Sequence, residues 1–142
     1  MEPIFFDSWA WIALVDRNDR YHALVVAAFE DMRRRRVAIV TTNVVVYEAY
    51  ENMRRRLGLP VATKYRDVMG ACRFYDMFML YYVRQEDEDE AMRLAERYPD
   101  QDFSLTDCFS FVVMKRLNIR TAFTGDTHFT LLGFNIIPDI PR

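Results

Sequence analysis

Cysteine is scarce in this 142-residue chain: Cys72 and Cys108 stand alone, without metal-ligand spacing or the density of a disulfide scaffold. Histidine is equally scarce, and His22 and His128 are too far apart to complete a zinc set with two isolated cysteines. No Gly-x-Ser-x-Gly elbow is present, which removes the usual serine-hydrolase arrangement. No apolar run approaches the roughly 18 residues that a membrane span requires. The N-terminus lacks the basic, apolar and small-residue order of a signal peptide, because Asp7 interrupts it. Nor is there an excess of positive charge: the formal net charge is −2, which argues against a simple basic clamp for nucleic acid. These absences lead to the expectation of a cytoplasmic protein with reduced thiols and no membrane contact.

What is present is apolar surface. Hydrophobic residues make up 51% of the chain, enough to exclude intrinsic disorder, and the length is that of one domain, residues 1–142. Ile4 to Phe6 reads as a short buried strand, with Ser8 available to cap a helix over Trp9 to Val15. A loop at Asp16 to Asp19 leads to a helix from Tyr21 to Arg35 and a strand from Val37 to Val40. Thr41, Thr42 and Asn43 offer three caps for a helix over Val44 to Leu57; the β-branched run Val44 to Val46 also suits a strand, but the later apolar spacing favours the helix. Gly58 and Pro60 then end that helix and begin another, reaching Tyr75. A strand from Met77 to Val83, an acidic helix from Glu86 to Tyr98 and an apolar helix from Leu105 to Leu117 follow. The last pieces are a strand from Arg120 to Thr124, a helical turn from Thr127 to Leu132 and a strand from Phe134 to Ile137. Strands alternating with helices predict an α/β fold of three α/β/α layers with a mostly parallel central sheet.

Four acids stand where a hydrophobic segment ends or a helix begins: Asp7, Glu48, Asp107 and Asp126. Ligands bind outside the carboxyl ends of parallel strands, where Asp7 and Asp126 fall. Carboxylates gathered there repel one another unless a cation joins them, and hard oxygen ligands select Mg²⁺ or Mn²⁺, the ions of phosphate chemistry. Each acid also has an ordinary reading. Asp7 is a helix-entry residue, Glu48 shares a solvated face with Glu51, and Asp126 is a turn aspartate after Gly125. Ser104 to Asp107 has the spacing of a capping box, which uses part of the Asp107 carboxylate.

Arginines form two blocks, Arg33 to Arg36 and Arg54 to Arg56. The second follows Glu48 closely, so Arg54, Arg55 and Arg56 are candidate phosphate contacts; the alternative is last-turn arginines that favour the helix dipole. The acids Glu86 to Glu90 read as a solvated helix start rather than a second metal site. The two tryptophans and most phenylalanines read as core or interface.

The acid order and its local words resemble the PIN-domain ribonucleases, in particular the VapC-type toxins, over essentially the whole chain. The pieces that carry the resemblance are Phe6-Asp7-Ser8, Tyr47-Glu48, Arg54 to Gly58, Asp102 to Phe111, Thr124 to Phe129 and Gly133-Phe134. The resemblance implies a Rossmann-like fold and one or two Mg²⁺ or Mn²⁺ ions held at Asp7, Glu48, Asp107 and Asp126, the last being the acid at which the family varies. Ser8 and Thr124 fall where the family keeps a small hydroxyl residue, beside the ligands. It further implies RNA endonucleolysis by metal-activated water to 5′-phosphate and 3′-hydroxyl ends, a VapB-like antitoxin partner, and a homodimer joined through helices of the N-terminal half.

Three other readings compete. An aspartyl-phosphate phosphatase wants a second aspartate two positions after the first, where this chain has Trp9, and only Lys64 and Lys115 are available as a lysine partner. A catalytically silent RNA- or protein-binding module has no need of four mutually repelling carboxylates. A housekeeping RNA-processing nuclease would use the same site, and the compact length favours the toxin.

Overall fold

The computed structural model describes residues 1–140. Its frame is a five-stranded sheet, entirely parallel, in the order β3-β2-β1-β4-β5, formed by β1 (Ile4–Phe6), β2 (Ile39–Thr42), β3 (Met79–Tyr81), β4 (Thr121–Phe123) and β5 (Asn135–Ile137). The chain winds outward from β1 through β2 to β3, then returns to the other side of β1 to place β4. That reversal puts a topological switch point between β1 and β4, where the two following loops diverge and leave a crevice.

Seven helices connect the strands: α1 (Ser8–Val15), α2 (His22–Arg34), α3 (Asn43–Leu57), α4 (Leu59–Phe74), α5 (Gln85–Arg97), α6 (Leu105–Arg116) and α7 (His128–Leu131). The three-layer α/β reading therefore holds. The central strands are buried on both sides: Phe5 and Phe6 in β1 and Ala122 and Phe123 in β4 are inaccessible to solvent. Phe6 packs against both Trp11 and Phe123 with ring centroids 4.9 Å apart, which ties α1 to the middle of the sheet.

Local signals explain most boundaries. Of the three caps offered before α3, Thr42 is the one used, its hydroxyl accepting the Val45 amide at 3.1 Å. Thr41 instead donates to the Phe6 carbonyl at 2.8 Å, and the Asn43 amide oxygen accepts the Val83 amide at 3.0 Å. β2 falls two residues later than expected, at Ile39–Thr42, and β3 is shorter than its apolar run. Ser8 is not the cap of α1. Asp7 occupies that position with extended backbone, and Ser8 is the first helical residue.

The acidic start of α5 departs from a uniformly solvated face. Asp87 is fully buried, accepting the Tyr81 hydroxyl at 2.8 Å, the Arg84 amide at 2.9 Å and Arg116 Nε at 2.7 Å. Burial alone would raise its pKa, but these donors outweigh burial and hold the carboxyl below its ordinary value. Asp87 thereby fastens α5 to the end of α6.

Candidate active site

The crevice at the switch point is built from register. Phe6 pairs with Phe123 across β1 and β4, so the next residues, Asp7 and Thr124, emerge side by side. The Thr124 hydroxyl donates to Asp7 Oδ2 at 2.7 Å and accepts the Asp126 amide at 3.0 Å. One small hydroxyl thus couples the first acid to the turn that carries the last. Glu48, in the second turn of α3, accepts the Ser8 hydroxyl at 2.9 Å, which fixes one of its oxygens toward α1. Ser8 and Thr124 therefore touch carboxylates of the candidate set.

Asp107 enters from the start of α6, and its capping box is complete: its amide donates to Ser104 Oγ at 3.0 Å and its Oδ2 accepts the Ser104 amide at 3.2 Å. That arrangement anchors the carboxylate through one oxygen and orients the other. Both the capping role and the placement in the crevice are realised by the same side chain.

The acids are close enough to sense one another. Burial lifts the Asp7 pKa from its ordinary 3.8 to about 7; the Thr124 hydrogen bond opposes the rise, while the Asp107 and Glu48 charges add to it. Burial likewise lifts Asp107 to about 6, with further elevation from Asp126 and Glu48 and opposition from the Ser104 hydrogen bonds. Such a cluster is costly when ionised and gains most from a bound cation.

His128 is the residue that sequence reasoning left out. Its backbone amide donates to Asp126 Oδ1 at 2.9 Å, curling the Asp126 turn so that the imidazole faces the acids. Nδ1 lies 3.1 Å from Asp126 Oδ1 and 3.9 Å from Asp107 Oδ2. The shorter approach lacks hydrogen-bond geometry, and this buried nitrogen has no hydrogen-bond partner among the described residues. Asp107, Asp126 and His128 each offer a ligand atom within 4.8 Å of the others, and Phe103 holds the imidazole edge-on at 5.2 Å. An orphaned ring nitrogen facing two carboxylates fits a divalent metal. The signal in the sequence was the two-residue spacing from Asp126, which becomes meaningful only when the turn is seen.

Arg54, Arg55 and Arg56 are exposed in the last turn of α3 and form no ion pairs among the described residues. Arg56 lies two helical turns beyond Glu48 on the same side of the helix. By contrast, Arg34 and Arg35 pair with Asp31, and their block precedes β2, at the opposite end of the sheet from the acids. The remaining histidine, His22, is 2.8 Å from the Ala13 carbonyl through Nδ1, away from the acids.

A parallel sheet with acids gathered at the β1/β4 switch point defines a class, and the PIN-domain family model matches residues 4–135: the chain belongs to the PIN-domain family. Within it, the chain is 26% identical over 131 residues to the 23S rRNA-specific endonuclease VapC20 of Mycobacterium tuberculosis, in both the CDC 1551 / Oshkosh and H37Rv strains, spanning 92% of this chain and 95% of that protein. The crystal structure of VapC20, described as a sarcin-ricin loop cleaving toxin, matches with a TM-score of 0.78 and 25% identity, over 92% of this chain and 95% of that one.

Proposed function

We propose that this protein is a Mg²⁺- or Mn²⁺-dependent endoribonuclease acting as the toxin of a toxin–antitoxin pair, with Asp7, Glu48, Asp107 and Asp126 as its catalytic and metal-binding acids. The carrying observation is the convergence of these carboxylates on one crevice beside the orphaned, buried Nδ1 of His128. We add His128 to the ligand set for that reason. A divalent cation held there would lower the pKa of bound water and neutralise charge on the scissile phosphate.

The side chains divide the remaining work. Asp107 presents the carboxylate oxygen not engaged by the Ser104 amide, and Thr124 holds Asp7 in a fixed orientation. Glu48, with one oxygen fixed by Ser8, has the other to orient the attacking water and accept its proton. Arg54, Arg55 and Arg56 contact phosphates of the approaching strand. The fold needs no side-chain nucleophile, and the attack runs in line with the departing 3′ oxygen.

The relatives direct the choice of substrate and partner. A structured loop of ribosomal RNA is the first substrate to test, a VapB-like antitoxin the expected inhibitor, and a cytoplasmic homodimer the expected assembly. Mapping 5′-phosphate RNA ends after induction, with Asp107→Asn as the control, is the deciding experiment. A few sharp ends in wild type that vanish in Asp107→Asn support the reading. Identical maps from soluble, antitoxin-free proteins, or cleavage that survives excess EDTA, would defeat it. Asp7→Asn is expected to keep the fold and to lose cleavage in the same assay.

A further inference from the structure

A cavity of about 240 Å³ opens beside the acidic crevice, lined by Trp9 and Ile12 of α1, Asp16 and Asp19 of the following loop, and Asn52 and Arg56 of α3. Two of its lining residues lie near the site. The indole of Trp9 packs on the backbone of Gly125, next to Asp126, and Asn52 lies one helical turn beyond Glu48. The volume is below that of drug-sized ligand pockets, about 300–1,000 Å³, so the cavity takes a small group.

The lining is chemically specific. Trp9 is half-buried and lines the cavity, and stacking on an aromatic ring is the common means of holding an unpaired base in single-stranded RNA. Asp16 is only 8% exposed although it carries a carboxylate. Its Oδ1 accepts the Asn18 amide at 3.0 Å, and Oδ2 has no hydrogen-bond partner among the described residues. Asp19 Oδ1 is committed in the same way to the Tyr21 amide at 2.8 Å. The walls are held in place: Lys64 Nζ donates to the Val15 carbonyl at 3.2 Å, and Tyr21 packs on Trp9 with centroids 5.4 Å apart.

Carboxylates accept and cannot donate when ionised, so they select a base edge bearing donors. Among the four RNA bases, only guanine places two adjacent donors, N1–H and the N2 amine, on its Watson–Crick edge; adenine and cytosine set an acceptor beside their amine, and uracil flanks its one N–H with carbonyls. Asn52 and Arg56 supply donors suited to the guanine O6 and to a neighbouring phosphate.

The geometry points to a base-recognition pocket in which Trp9 stacks on one unpaired guanine of the RNA while Asp16 reads its N1–H and N2 amine, setting the sequence around the cut. This rests on the ribonuclease reading for RNA to reach the crevice, but its own readout is binding without cleavage.

Short RNA oligonucleotides carrying one guanine, inosine or adenine in an otherwise uridine strand are titrated in excess EDTA, following tryptophan fluorescence and anisotropy. The guanine strand is expected to bind roughly tenfold or more tighter than the inosine strand, which lacks only the N2 amine. Asp16→Asn keeps the Oδ1 acceptor for the Asn18 amide and so preserves the loop, and it is expected to bring the two strands to parity. Trp9→Leu is expected to weaken all three strands and abolish the fluorescence change. Equal affinity for guanine and inosine strands in wild type overturns the proposal, as does a preference that Asp16→Asn leaves intact. Guanine-selective binding without cleavage after Mn²⁺ addition sinks the nuclease reading while leaving the pocket. Cleavage without guanine selectivity does the reverse.

Discussion

Asp7 shows how one buried carboxyl links stability to pH. Its folded pKa of about 7 lies above the ordinary 3.8, so between those values the folded protein retains a proton that the unfolded chain has lost. Stability of the metal-free protein therefore falls as pH rises from about 4 to about 7, at up to about 1.4 kcal/mol per unit for this group, and stays low above. Asp107, raised to about 6, adds to the same trend over a narrower window. Urea denaturation of metal-stripped protein should thus show a lower midpoint at pH 8 than at pH 5.5. Asp7→Asn should reduce that difference, and Mn²⁺ at pH 8 should restore stability to wild type. Equal pH responses of wild type and Asp7→Asn would show that the Asp7 proton is not the one involved. Gly125 is a second residue with a definable task. Its backbone is not left-handed, but a Cβ there would sit 2.5 Å from Trp9 Nε1. Overpacking of that kind costs typically about 1–3 kcal/mol, so Gly125→Ala should lower the thermal midpoint, and adding Trp9→Leu should recover part of the loss. Failure of the second change to help would place the strain elsewhere.

At the scale of elements, the legible parts were those with a local cause. The capping box at Ser104 and Asp107 is present in both directions, and the strand ends that carry Asp7 and Asp126 follow directly from apolar runs. What sequence concealed were contacts between distant segments. His128 meets Asp107 only because α6 and the turn after β4 share one end of the sheet, and Asp87 hides among acids whose partner Arg116 is 29 positions away. Trp9 reads as core or interface in sequence, and the fold leaves it half-buried against Gly125, next to Asp126. The Asp87 network has a direct consequence. Asp87→Ala removes the acceptor shared by the half-buried Tyr81 hydroxyl, the Arg84 amide and Arg116; Arg84 and Arg116 are exposed and Arg116 keeps Glu90, so the loss is on the order of 1 kcal/mol. Loosening α5 from α6 should appear as faster amide exchange over both helices in Asp87→Ala, with the sheet core unchanged. Exchange confined to the first turn of α5 would mean that the network only caps that helix.

On the scale of the whole molecule, the net charge of −2 conceals a division of labour between the two ends of the sheet. The acids gather at the carboxyl end of the sheet, and Arg54, Arg55 and Arg56 follow Glu48 in the last turn of α3 without ion pairs among the described residues, while Arg33 to Arg36 lie before β2 at the far end. On the proposed reading, a strand of RNA entering the crevice would meet the first block and not the second. Phosphate contacts release counterions, and each contributes about 0.7 to the slope of log affinity against log salt for single strands. Replacing Arg54, Arg55 and Arg56 together by alanine should therefore lower RNA affinity at low salt and flatten that slope by up to about 2. Arg33→Ala with Arg36→Ala is the matched control and should leave the slope unchanged. Measurement in excess EDTA keeps the RNA intact and removes the cation's own attraction for phosphate, so the slope reports protein side chains alone. Parallel salt plots for wild type and the Arg54–Arg56 variant would return those arginines to a helix-terminal role, and a flatter slope in the control would move the RNA path to the opposite end of the sheet.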